Sequence, residues 1–179
     1  MPNILIVGAT RGLGAALTSQ YAANTANTVH ATTRAPQGAA PAGPENVHWI
    51  TNIDLLRADA AASLASALGG TAVDTVIITA GIFPKETLAT PDFEAEVRTY
   101  TTCAVAPVFV AHHLVAAGLL RPGAKLVLVS SEAGSIALRH ESEGGGNYAH
   151  HASKAAVNML GRLLSLDLKE KSVAVAIVH

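Results

Sequence analysis

Internal disulfides, a nucleic-acid surface and a membrane span are argued against by what this sequence lacks. A single cysteine, Cys103, has nothing to pair with inside the chain. A lone thiol suits a reducing compartment, so a cytoplasmic location is expected. Charged residues are 14% of the chain, with 12 Lys and Arg against 13 Asp and Glu. That near balance, without a basic stripe or an acidic tail, gives no nucleic-acid partner. No unbroken apolar run approaches the roughly 20 residues of a membrane span, so no membrane partner is expected. The first strand is expected to open at Asn3, which leaves no room for a signal or transit peptide. Aromatic residues are only 4% and alanine is abundant, so the layers are expected to pack closely on small side chains. No metal site is anticipated.

What the chain does have is apolar character. Half of its 179 residues are hydrophobic, enough for one domain over 1–179 with a real core. Six short apolar runs, 4–7, 28–33, 47–51, 73–79, 125–129 and 173–178, read as parallel strands buried on both faces. Helical patterns lie between them over 13–23, 55–68, 93–117 and 149–168. This alternation implies an α/β fold, a Rossmann-type doubly wound parallel sheet of about six strands. Residues 35–45, rich in Pro, Gly and Ala, read as a surface loop. Residues 138–147 hold Gly144, Gly145 and Gly146, and read either as a mobile flap near a site or as a plain surface excursion. No internal repeat occurs.

The chain is organised around Val7-Gly8-Ala9-Thr10-Arg11-Gly12-Leu13-Gly14, where the first strand hands over to the first helix. Gly8 permits a tight turn, Gly12 lets backbone approach a ligand, and Gly14 lets helix and sheet pack closely. The helix N-terminus then offers free N–H groups and a positive dipole end to a pyrophosphate. Three glycines alone describe an ordinary strand-to-helix turn. Between a strand and a helix they describe a dinucleotide cradle, to which Thr10, Arg11 and Leu13 also belong. The second strand ends at Thr33-Arg34, without the carboxylate that binds a ribose 2′-hydroxyl. Arg34 and Arg11 can pair with a 2′-phosphate instead, which favours NADP; two solvated arginines are the alternative.

Four motifs, in order and each at a strand end, resemble the short-chain dehydrogenase/reductase family. They are Gly8-x3-Gly12-x-Gly14, Thr79-Ala80-Gly81, Ser130-Ser131 and Ala152-Ser153-Lys154. Within the family the chain looks most like small reductases of the bacterial C-factor type and their fungal relatives. The resemblance implies a seven-stranded doubly wound sheet and hydride transfer to or from nicotinamide, with Ala80, Gly81 and Lys154 on the cofactor. Asp54, with Leu55 beside it, resembles the family's adenine-contacting Asp; it also suits the N-cap of a helix that begins near Leu55. The family uses a Ser, a Tyr four residues before a Lys, and an Asn on the preceding long helix. Ser131 and Lys154 match this set, but His150 stands in the place of the Tyr and Cys103 in that of the Asn. Beyond the sixth strand the family carries a Pro-Gly turn, a substrate-covering helical lobe and a seventh strand. The last residue here is His179, so the lobe and that strand are expected to be absent.

His150 and Lys154, one helical turn apart, share a face. A neutral imidazole is a poor acid, and a nearby Lys⁺ disfavours imidazolium. His150 is therefore a proton donor at mildly low pH, a relay, or only a polar residue at a helix start. Tyr148, six residues before Lys154, points elsewhere if the helix includes it and reaches the site only from a loop. Cys103 reads as a small apolar packing residue rather than a nucleophile. Three functions remain open. The first is an NADP-dependent carbonyl reductase or alcohol dehydrogenase acting on a small carbonyl or alcohol, with Ser131, Lys154 and either His150 or Tyr148. The second is a redox-inactive dinucleotide-binding protein, and the third a non-redox isomerase or cyclase on the same scaffold. The wide apolar faces of 93–117 and 149–168, similar to helices that pair across a two-fold axis in relatives, imply a homodimer.

Overall fold

The computed structural model describes all 179 residues, Met1–His179. Its strands are β1 (Asn3–Val7), β2 (Thr28–Thr32), β3 (Val47–Ile50), β4 (Val73–Ile78), β5 (Leu120–Val129) and β6 (Ala174–Val178). All pair in parallel, in the order β3-β2-β1-β4-β5-β6. The chain builds outward from β1 to β3, then from β4 to β6 in the opposite direction. The order thus reverses between β1 and β4, which opens a crevice beyond the carboxyl ends of these strands.

The helices are α1 (Gly12–Ala22), α2 (Ala60–Ala67), α3 (Phe93–Tyr100), α4 (Ala106–Ala116) and α5 (Tyr148–Asp167). On one face, Leu17, Tyr21 and Ala22 of α1 pack over Ile4, Ile6, Val29 and Ile77. On the other, Leu64 of α2, Val110 and Leu114 of α4 and Val157 of α5 share a core with Leu5, Val76, Leu126 and Leu128. Cover on both faces is why β1 and β4 are continuous apolar runs rather than alternating ones, whereas the edge strands depart from the expected burial: β6 is largely exposed and β3 buries only Ile50. Each such fully buried side chain stabilises the fold by about 1.5–3 kcal/mol relative to exposure. Gly161 brings α5 down on β6, since a Cβ there would lie 2.5 Å from the Ile177 side chain.

Three local expectations are corrected. β5 starts at Leu120, before the expected apolar run, and its register against β4 is irregular between Val73 and Thr75. Pro122 and Gly123 (φ +90°) disguise that beginning as a turn. The helical run Phe93–Ala116 is not uniform but widens into a π-turn over Thr101–Val105. Pro107 has no N–H to give the Cys103 carbonyl, so the α pattern cannot run through. This run is long and apolar enough to cross a membrane by length and composition, and half of its most apolar window is buried inside the fold.

Asp54 is not a helix N-cap, because α2 begins only at Ala60. The Asp54 carboxylate accepts the Leu56 N–H at 3.2 Å and its carbonyl accepts that of Arg57 at 2.9 Å. A short acidic side chain that bonds the following backbone competes with helix. The largely exposed stretch 138–147 carries hydrogen bonds of its own. His140 caps a 3-10 turn over Glu141–Glu143, and Arg139 donates to the Gly144 carbonyl at 2.6 Å.

Candidate active site

A cleft of about 370 Å³ lies where the strand order reverses. The β1–α1 turn lines it with Gly8, Thr10, Arg11, Gly12, Leu13 and Gly14. Thr33 and Arg34 enter from the end of β2, Asp54 and Leu55 from the segment after β3, and Ala80 and Gly81 from the end of β4. Every residue read from the sequence as part of the dinucleotide cradle, Lys154 apart, therefore faces one space.

The glycines explain its shape. Gly8 has φ +94°, and a Cβ there would lie 2.7 Å from the Ala80 backbone. A Cβ on Gly14 would come within 2.1 Å of the Gly8 carbonyl oxygen, so α1 packs directly on its own entry turn. Gly12 has open space around it. No side chain caps α1, whose first N–H groups stay available to an anion. Arg11 and Arg34 are exposed at the cleft, and neither guanidinium has a hydrogen bond or an ion pair. These features fit a pyrophosphate and a further phosphate.

Two hydroxyls hold the turn: that of Thr32, which the sequence does not single out, and that of Thr79, which opens the Thr79-Ala80-Gly81 motif. Thr32 Oγ1 accepts the Gly8 N–H at 2.9 Å, and Thr79 Oγ1 lies 3.0 and 3.1 Å from the Val7 and Gly8 carbonyls. Thr32, the last residue of β2, has no pattern of its own, so only the contact reveals it.

Lys154 does not line the cleft but stands behind its wall at Gly81. It is 7% exposed, and its Nζ donates to the Val129 carbonyl at 2.7 Å. A Cβ on Gly81 would lie 3.8 Å from Lys154 Nζ and 3.7 Å from Cys103 Sγ, which places both beside the cleft wall. Cys103 itself is buried, in the π-turn. Burial pushes the Lys154 pKa below its ordinary value, and nearby Cys103 opposes that shift.

His150 lies one turn before Lys154 on α5, half buried, with Nδ1 buried and without a partner. Burial, then the Lys154 charge, then His151 lower its pKa from 6.5. Its ring packs edge-on against Phe83, with centroids 4.4 Å apart. Ser131 lies two residues beyond β5, and its Oγ accepts the Ala133 N–H at 3.2 Å at the start of a 3-10 turn over Glu132–Gly134. α5 lies hard against that turn, for a Cβ on Gly134 would sit 2.6 Å from the Lys154 carbonyl carbon. The neighbouring Ser130 is occupied in bonding Asn158 at 2.6 Å.

The loop route for Tyr148 is corrected. Tyr148 is the first residue of α5, and its hydroxyl lies over Gly145. At 3.6 residues per turn it points away from the face that His150 shares with Lys154. Residues missed by sequence reasoning surround the same helix start. Arg139 Nη1 lies 3.1 Å from His151 Nε2, whose Nδ1 lies 2.8 Å from the Asn147 carbonyl, while Glu86 accepts the Ala149 N–H. No motif links these positions; the fold brings them together.

A family model described as short chain dehydrogenase matches residues 2–179. The chain is 26% identical over its whole length to 1-hydroxy-2-glutathionyl-2-methyl-3-butene dehydrogenase of Rhodococcus sp. (strain AD45), of which it covers 76%. Over 60% of its length it is 34% identical to the C-signal protein of Myxococcus xanthus, of which it covers 63%. The structure of a carbonyl reductase from Pseudomonas aeruginosa PAO1 in complex with NADP is 31% identical, with a TM-score of 0.82 over 100% of this chain and 82% of that one. With its six-stranded doubly wound sheet and glycine-lined cleft, the chain belongs to the short-chain dehydrogenase family, oxidoreductases that bind a nicotinamide dinucleotide.

Proposed function

We propose that the chain is an NADP-dependent carbonyl reductase or alcohol dehydrogenase in which His150 fills the place of the family's tyrosine. The observation that carries this reading is the half-buried imidazole on the Lys154 face of α5, packed on Phe83 and with Nδ1 buried and unpartnered. The NADP complex of the Pseudomonas aeruginosa carbonyl reductase supports the cofactor and the substrate class.

When bound, the cofactor supplies or accepts the hydride. The open N–H groups of Gly12, Leu13 and Gly14 hold the pyrophosphate, and Thr10 closes the turn beside it. Arg11 and Arg34 hold the 2′-phosphate, while Asp54 and Leu55 flank the adenine. Ala80 and Gly81 form the wall that leads inward, and Lys154 holds the nicotinamide ribose. In the direction of reduction Ser131 donates a hydrogen bond to the substrate oxygen, and imidazolium His150 transfers a proton to that oxygen. Exposed Val97, Phe109, Met159 and Leu163, on α3, α4 and α5, support a homodimer, and the lone thiol of Cys103 favours the cytoplasm. Light scattering at high concentration should give twice the chain mass, and a clean monomer would dispose of that assembly.

Reduction of a panel of aldehydes and ketones with NADPH tests the reading. Arg34→Ala should weaken NADPH binding by about 1.5–3 kcal/mol through loss of a charge-assisted hydrogen bond, and leave NADH almost unchanged. Equal affinities of the unmutated chain for NADPH and NADH would remove the basis for NADP. Replacement of Tyr by His and Asn by Cys favours a second reading, a dinucleotide-binding protein without redox turnover. Tight NADPH binding with no turnover on any carbonyl selects it.

A further inference from the structure

We propose that Glu86 is the positioning residue for His150, stapling the β4–α3 connection to the first turn of α5 so that the imidazole stands in one place. The proposal rests on the reading of His150 as proton donor. Glu86 is 4% exposed although it lies in a connecting segment. Its carboxylate accepts the Ala149 N–H, and its main-chain carbonyl accepts the Asn147 N–H at 2.9 Å. These two bonds bracket the start of α5, and His150 is the next residue. Phe83, three residues before Glu86, then packs on the His150 ring at 4.4 Å. One short segment thus touches the helix start at three points around the imidazole.

The surroundings are shaped for this contact. Gly146 has φ +88°, and a Cβ there would lie 2.8 Å from the Glu86 carbonyl oxygen, so only glycine lets the chains come this close. Asn147 occupies the N-cap position of α5 but provides no side-chain cap. Glu86 takes over from 63 residues away, and an anion at a helix N-terminus is also favoured by the dipole. Here the second carboxylate oxygen, Oε2, is buried without a partner, which costs stability. That cost is understandable if the contact fixes His150 against Phe83.

The test is proton NMR of the His150 imidazole in the full chain, assigned by its disappearance in His150→Asn. The Phe83 ring current displaces this resonance, and Phe83→Leu gives its undisplaced position. Glu86→Ala should remove most of the displacement. Gly146→Ala, which forces the Glu86 carbonyl away from the other side, should do the same. Glu86→Gln should retain it, because an amide oxygen still accepts the Ala149 N–H. With a carbonyl substrate, Glu86→Ala should lower kcat about tenfold to a hundredfold and leave KM for NADPH unchanged. An unchanged His150 resonance in Glu86→Ala overturns the proposal, and so does a loss in Glu86→Gln as large as that in Glu86→Ala. The spectra need no turnover, so an inactive chain would count against the reductase reading without deciding the role of Glu86.

Discussion

His150→Tyr should carry the pH profile of carbonyl reduction from acid to alkaline and raise the rate near pH 8 by about a hundredfold. The sign follows from which form holds the proton. Only imidazolium is a competent acid, so the rate of the unmutated chain is present below the His150 pKa and lost as pH rises through it. Burial first, and then Lys154, lower that pKa from 6.5, so the loss occurs on the acid side of the ordinary histidine value. Above it each further pH unit removes about tenfold of the competent form. A tyrosine at the same place stays protonated to about pH 10 before its neighbours act on it. Measured kcat/KM against pH for the two proteins decides the matter. A flat profile for the unmutated chain, or no gain in the variant, would show that position 150 is not the donor. Tyr148→Phe should leave the profile unchanged, since its hydroxyl lies over Gly145.

How much of this was readable beforehand depended on how local the physics is. The central strands announced themselves because burial on both faces demands unbroken apolar runs, as in β1, where Leu5, Ile6 and Val7 are wholly buried, whereas β6 is an apolar run that stays largely exposed. The glycine turn was readable because Gly8 and Gly14 answer steric demands a few residues away. Reading failed where one local signal masked another. Pro122-Gly123 looks like a turn but lies inside β5, and Asp54 looks like an N-cap but closes a turn before α2. The π-turn was hidden because Thr101–Val105 keeps a helical apolar pattern; the absent N–H of Pro107 was its one trace. Glu86 had no trace at all, because its meaning comes from Ala149, far along the chain. His150 and Lys154 needed only helical spacing, but the contact of His150 with Phe83 needed the fold.

Lys154→Met should abolish most turnover, by about a thousandfold, while leaving the fold intact. The side chain is 7% exposed, and its only hydrogen bond in the structure is to the Val129 carbonyl. No acid pairs with it, and burial already lowers its pKa. An unpaired buried ammonium destabilises a core, so an apolar side chain of similar length should leave Tm unchanged or raise it. What disappears is function: the cation and hydrogen-bond donor behind the cleft wall at Gly81, and the charge that acts on His150. The last loss gives an independent readout. Without Lys154⁺ the His150 pKa should rise toward its ordinary value but stay below it, because burial, the larger cause, remains. Any residual rate should then persist to higher pH than in the unmutated chain. Calorimetry, NADPH titration and an NMR titration of His150 measure the three effects separately. A large fall in Tm would make Lys154 structural, and full turnover in Lys154→Met would remove it from the chemistry.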